Sequence, residues 1–236
     1  YMGKQQSLSL FKNQAIPPLA EILRPNDLSE IVGQEHLLGE GTPIGKTILN
    51  GCFSSSILWG PPGCGKTTLG RLLAKQTKMH FESVSAVFSG VAELRKIFEQ
   101  AETRKVSGQG SLLFVDEIHR FSRAQQDAFL PVVEDGTIIL IGATTENPSF
   151  QLNDALLSRC QVLILKRLSE NDLETLILRA EKKIGAVIPL DREARSLLID
   201  MSDGDGRSLL NLIEQLTSLK LKVKLDKTSL AKTEKF

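Results

Sequence analysis

Cysteine, histidine, tryptophan and tyrosine are all scarce in this chain: three Cys, three His, one Trp and one Tyr among 236 residues. Cys52, Cys64 and Cys160 show neither paired nor metal-ligand spacing, which argues against a disulfide framework and a zinc module and fits a reducing compartment. Cys52 and Cys160 read as small buried hydrophobes. Three scattered histidines cannot build a metal-hydrolase cluster. No apolar run approaches the roughly 18 residues that a membrane-spanning helix needs, and residues 1–14 lack the basic-then-apolar order of a secretory signal. An excess of one charge is missing too. With 29 basic and 28 acidic residues the formal net charge is +1, so a wholly basic nucleic-acid coat is excluded while a local basic groove is not. Internal repeats and low-complexity segments are absent.

The composition that remains, 41% hydrophobic and 24% charged, is that of an ordinary globular protein. Its length suits one large α/β domain and a smaller companion. Residues 1–16 carry no strong pattern and read as a loose N-terminal arm. Five short apolar runs follow, at 56–59, 81–85, 112–115, 138–142 and 162–165, alternating with helical patterns that include 68–76, 90–103 and 123–133. This alternation predicts a five-stranded parallel sheet with helices on both faces, spanning residues 17–166. Right-handed crossovers would put all five strand C-termini on one edge, where ligands bind in such folds.

After Lys166 the strand signal stops. Ser169 with Asp172 resembles a capping box, and Leu173, Leu176, Ile177 and Ala180 then follow helical spacing. Asp191 is a candidate cap for a second helix, and Gly204-Asp205-Gly206 breaks the chain before a third. A small all-helical domain over 167–218 is therefore expected. Residues 219–236 hold six lysines against Asp226 and Glu234. They read as a solvated basic tail, although 219–225 alternates apolar residues and lysines in a strand-like way.

Two motifs carry chemistry. Gly60-Pro61-Pro62-Gly63-Cys64-Gly65-Lys66-Thr67 matches G-x-x-x-x-G-K-T, between an apolar run and a helical pattern that begins at Thr68, the context the motif requires. Its glycines let backbone N–H groups close around phosphate oxygens at a helix N-terminus. Lys66 is placed to reach the β- and γ-phosphates of ATP, and the Thr67 hydroxyl to ligate Mg²⁺. About 50 residues on, the apolar run 112–115 ends in Asp116-Glu117. Unpaired carboxylates are too costly to bury at the end of a core strand. Asp116 suits Mg²⁺, directly or through water, and Glu117 suits orienting a water toward the γ-phosphate.

Over residues 17–216 the chain resembles the AAA+ ATPases. Within them it is similar to the replication-associated recombination protein A family (RarA, also called MgsA), which includes the eukaryotic Werner-helicase-interacting ATPases. The stretches that carry the likeness are 18–25 with 31–38, 85–95, 114–137 and 141–162. Asp116-Glu117-Ile118-His119-Arg120-Phe121 and Gly142-Ala143-Thr144-Thr145-Glu146-Asn147-Pro148-Ser149-Phe150 are the most specific. The resemblance implies that 167–218 is a lid and that Ile31 and Val32 join the P-loop in holding nucleotide. It makes Thr145 the sensor 1 residue, Arg207 the sensor 2 residue, and Arg159, in Leu157-Ser158-Arg159-Cys160, an arginine finger acting in trans. A weaker carry-over makes Ser85 a polar partner of Glu117, and His119 reads as a structural or interface histidine. From clamp-loader relatives, Arg95 and Arg123 are candidate DNA contacts on helices 90–103 and 123–133, competing with the lysine-rich tail.

The expected function is that of a DNA-dependent ATPase maintaining or restarting replication forks, with fork, gap or end DNA as partner. A homo-oligomer forms through the AAA+ interface, tetrameric in the full-length family. Replication proteins are further partners, and the implied location is the bacterial cytoplasm, on the nucleoid, without a membrane. The chain departs from the family pattern at Cys64 and Phe88, each in place of Thr, and at Gly206, in place of Ala. It also ends before the family's C-terminal oligomerisation domain. A clamp-loader subunit shares the Ser-Arg-Cys element but not the 144–150 motif. A protein unfoldase would need a pore loop that Ser89 disrupts. A non-hydrolysing scaffold would not need Glu117, Thr145 and Arg159.

Overall fold

All five apolar runs become strands of a single sheet in the computed structural model, which describes residues 17–219 and 224–233. The strands are β1 (Ser56–Trp59), β2 (His80–Ser85), β3 (Ser111–Asp116), β4 (Ile139–Thr144) and β5 (Gln161–Ile164). Their order is β2-β3-β4-β1-β5, and every pairing is parallel. Side-chain alternation splits the core by face. Ile57, Leu113, Val115 and Leu140 point to one side, and Leu58, Leu112, Phe114, Ile141, Ala143 and Leu163 to the other.

Before the sheet come three short helices: α1 (Leu19–Ile22), α2 (Glu35–Leu38) and α3 (Pro43–Leu49). Between strands lie α4 (Lys66–Gln76), α5 (Val91–Val106), α6 (Arg123–Asp127), α7 (Leu130–Glu134), α8 (Pro148–Gln151) and α9 (Asp154–Leu157). Helix α4 and the α2–α3 segment cover one face of the sheet, while α5 to α9 cover the other. The helix expected over 123–133 is in fact two. Pro131 has no N–H to offer the carbonyl four residues back, and the chain restarts as α7, with Pro131 in its first turn.

The lid is built from α10 (Glu170–Ile184), α11 (Arg192–Ser202) and α12 (Gly206–Ser218). Ser169 and Asp172 form the reciprocal capping box at α10. Asp191 accepts from the Ala194 N–H at 2.7 Å and Asp205 from the Ser208 N–H at 2.9 Å, capping α11 and α12. Leu173, Ile177, Ala180, Leu198, Leu209 and Ile213 make the lid's own core.

At three places the structure departs from expectation. Leu19, expected with the sheet domain, packs into the lid cluster. Residues 224–233 are more than a solvated tail: Leu225 forms a parallel bridge with Leu190, and α13 (Lys227–Thr233) buries Leu230 against the lid. The alternating residues 220–223 and the N-terminal arm lie outside the described residues. Cys52 is exposed rather than buried, and Cys160 is half-buried. No helix among the described residues is long and apolar enough to cross a membrane.

Candidate active site

The parallel sheet brings three chain segments to one edge. Gly60 follows β1 directly, Asp116 ends β3, and Thr145 follows β4. They open onto a cleft of about 440 Å³ that residues of the C-terminal helices line on the other side. Pro62, Gly63, Cys64, Gly65, Lys66, Thr67 and Thr68 line it, with Asp116, Glu117, Thr145, Ile31, Val32 and Arg207. Most of the residues that sequence reading singled out therefore meet in one place. Gly60 and Pro61 do not line the cleft; their carbonyls instead accept from Lys66 Nζ at 2.8 and 2.7 Å. Arg95, Arg123 and Arg159 are also absent from it.

The phosphate-loop shape follows from its glycines. Gly63 and Gly65 have φ of +66° and +99°, the left-handed region that side chains resist. A Cβ on Gly63 would overlap the Asp205 carboxylate. Gly65 is the N-cap of α4, so the uncapped N–H groups of that helix face the cleft together with Lys66 and Thr67. This donor set, a ring of amide N–H groups with one lysine, fits a polyphosphate. Burial raises the pKa of the Cys64 thiol, and its S–H donates to the Pro61 carbonyl at 3.0 Å.

At the end of β3 the backbone turns sharply. Glu117 has φ +53° and ψ +42°, a left-handed conformation that costs roughly 1–2 kcal/mol for a side chain with a Cβ. Its N–H donates to Asp116 Oδ1 at 3.2 Å. This strained turn sets two adjacent carboxylates at the floor of the cleft, where one can meet a cation and the other a water.

Three parts of this region were not singled out in the sequence, and a fourth, His119, was read only as a structural or interface histidine. Pro18, Glu21, Leu23, Arg24 and Pro25 form a strap along the cleft mouth; the dense text of 17–25 was the available signal. Gln34, 1% exposed, donates to the carbonyls of Lys166 at 2.9 Å and Cys64 at 3.4 Å and accepts from the Lys166 N–H at 3.1 Å. It thereby locks the strap that carries Ile31 and Val32 to the phosphate loop. From the lid, Leu168, Leu176, Arg179, Leu210 and Asn211 face the cleft. His119 sits 3.3 Å from Glu117 and 2.9 Å from Thr144, a pair no linear pattern joins.

Electrostatics at the mouth come from arginines. The Arg24 side chain, hydrogen-bonded to Glu21, outweighs partial burial and lowers that carboxyl's pKa, with help from Arg71 and Arg207. Arg207 opens α12 and is exposed to the cleft. Arg159 lies outside, after α9; it is ion-paired with Glu134 and donates to the Ala155 carbonyl at 2.7 Å.

Known proteins resemble the chain in sequence and in fold. Residues 56–168 match the family described as ATPase family associated with various cellular activities (AAA). The chain has the five-stranded parallel sheet and phosphate loop of the AAA+ P-loop fold. It is 47% identical over 219 residues to replication-associated recombination protein A of Escherichia coli, covering 90% of this chain and 49% of that protein. It is 43% identical over 217 residues to ATPase WRNIP1 of Dictyostelium discoideum, covering 90% of this chain and 25% of that protein. Over most of its length the chain is thus similar to proteins named replication-associated recombination protein A and to WRNIP1. It spans about half the length of the bacterial relatives it matches. Among solved structures it is similar to the Thermotoga maritima RuvB Holliday junction branch migration motor, with a TM-score of 0.69 and 26% identity over 89% of this chain and 72% of the other.

Proposed function

We propose that the cleft binds ATP with Mg²⁺ and hydrolyses the γ-phosphate, and that the cycle drives remodelling of DNA at stalled replication forks. The observation that supports this most is the convergence of Lys66, Thr67, Asp116, Glu117, Thr145 and Arg207 on one cleft. Gly63, Gly65 and the α4 N-terminus receive the phosphates. Lys66 exchanges its two loop carbonyls for phosphate oxygens. The apolar wall of Ile31, Val32, Leu176 and Leu210 suits a base. Thr67 and Asp116 would hold Mg²⁺, which when bound would supply positive charge beside the phosphate oxygens.

Glu117 orients the attacking water and takes its proton, Thr145 reports on the γ-phosphate, and Arg207 draws the lid closed. Arg159 completes a neighbouring copy's site as an arginine finger, which makes the working enzyme a homo-oligomer. The setting is the bacterial cytoplasm, on the nucleoid and among replication proteins. The names of the relatives support a role in replication-linked recombination.

DNA contact runs through phosphates. Arg123 begins α6, behind the Ser122 cap, and Arg95 lies on α5; both are exposed. Phosphate contacts fix position without reading sequence, which suits action on forks of any sequence. Phosphate release measured with and without forked DNA, alongside binding titrated against salt, tests this. Forked DNA should accelerate release, and Arg95→Ala and Arg123→Ala should each flatten the log–log salt slope by about 0.7–0.9. Turnover indifferent to DNA, or both slopes unchanged while alanine in place of the lysines of 219–236 abolishes binding, would count against this face as the contact.

A further inference from the structure

The turn behind β3 carries a side chain that the hydrolytic scheme above leaves without a task. His119, with its side chain 6% exposed, sits in a single 3-10 turn, Ile118–Arg120, and its two ring nitrogens face different partners. Nδ1 lies 2.9 Å from Oγ1 of Thr144, the last residue of β4. Nε2 lies 3.3 Å from Glu117 Oε2 and 3.4 Å from Glu146 Oε1. Thr144 is fully buried, and its oxygen already accepts the Glu146 N–H at 3.0 Å.

Ring chemistry limits what these contacts can be. A neutral imidazole donates from one nitrogen and accepts at the other. Carboxylates only accept, so the proton belongs on Nε2, and Nδ1 takes the Thr144 hydroxyl proton. That hydroxyl has a second acceptor in the Glu146 carbonyl at 3.2 Å, but the ring nitrogen is nearer. A protonated ring would donate from both nitrogens and still present Nε2–H to the same two carboxylates. In either state one N–H stands between Glu117 and Glu146, and β4 fixes the ring through Thr144.

From this we infer that His119 is a positioning residue for hydrolysis. Its Nε2–H holds Oε2 of Glu117, so that the other carboxylate oxygen is presented to the water in the cleft. Glu117 needs such a hold, because its backbone is left-handed and its carboxylate has no other ion-pair partner among the described residues. Glu146, half exposed at the end of β4, is the competing acceptor that can draw the donor away. The inference rests on the reading of Glu117 as the water-orienting carboxylate.

The test compares ATP turnover and nucleotide affinity for His119→Ala, His119→Gln, Thr144→Val and Glu117→Gln. His119→Ala should lower kcat on the order of 10–100-fold, the range that outer-shell partners show, with ATP affinity and unfolding temperature held. Thr144→Val, which keeps the shape and loses the hydroxyl, should fall between it and the unmodified chain. His119→Gln, which retains an N–H donor, should recover part of the loss. On a Glu117→Gln background His119→Ala should add nothing further, because the two act as one unit.

Full turnover in Glu117→Gln would overturn the parent reading. Loss in Glu117→Gln with unchanged kcat in His119→Ala would overturn the positioning role alone. Loss of affinity and stability together in His119→Ala, with no recovery in His119→Gln, would make the histidine structural and also overturn it.

Discussion

Single residues in this chain do work that their neighbours in sequence do not announce. The phosphate loop was legible because its chemistry is contiguous: eight consecutive positions fix a turn, a helix start and a lysine. Asp116 and Glu117 were legible because carboxylates that close an apolar strand have no core role. His119 was not, since its meaning depends on Thr144 and Glu146, which only the β3–β4 pairing brings near. Gln34 is the same kind of case. Its amide joins positions 132 residues apart, and a lone glutamine carries no pattern. Gln34→Ala would leave the Lys166 backbone without its side-chain partner in a half-buried setting. A loss of about 1–3 kcal/mol is expected, the cost of an unsatisfied buried polar group, readable as a lower denaturant midpoint with unchanged slope. Gln34→Glu should do no better, because a carboxylate cannot donate to the Lys166 carbonyl.

Whole elements were legible where burial and period agree. The five strands announced themselves as apolar runs ending at polar residues, and the lid helices through Ser169 and Asp191, which cap as expected, and through the break at 204–206, within which Asp205 caps α12. The break between α6 and α7 was readable at Pro131 but masked by apolar residues on both sides. The packing of Leu19, Leu225 and Leu230 into the lid was not readable, because each depends on tertiary neighbours rather than local period. Division of the chain at 166 and 218 therefore describes the strand and helix boundaries better than it describes the packed units.

Within the lid, Arg195 bridges Glu174 and Glu181 between α10 and α11, with contacts of 2.7 Å to each. Burial pushes the Glu181 carboxyl up, but the Arg195 side chain and the Ile188 N–H outweigh it, and its pKa ends below the ordinary 4.5. A depressed carboxylate pKa stabilises the fold above the unfolded value and loses that contribution as pH falls through the folded one. Lid stability should therefore be flat above about pH 5 and decline below the ordinary value of 4.5. Arg195→Met should remove that dependence while lowering stability at neutral pH by about 1–3 kcal/mol, because Glu181 would be left half-buried without its cation. An acid transition unchanged in Arg195→Met, followed by thermal melts across pH, would show that another group governs it.

For the whole molecule, Arg159 stands outside the cleft of its own chain, held by Glu134, so the proposed finger role requires a second copy. Turnover should then rise with protein concentration. Glu117→Gln and Arg159→Ala proteins, each inactive alone, should regain activity when mixed, since some interfaces pair an intact finger with an intact site. Such fingers are worth about 10³–10⁵ in rate, so recovery would be conspicuous. Absence of recovery in mixtures shown by sizing to be assembled would argue that Arg159 serves only its own fold.

One cleft is proposed both to bind ATP and to hydrolyse it, with Glu117 needed for the second task alone. Nucleotide affinity and phosphate release, measured side by side on the Glu117→Gln chain, test it most directly. Affinity within a few-fold of the unmodified chain, with release reduced to background, is the predicted result. Undiminished release from Glu117→Gln would contradict the account.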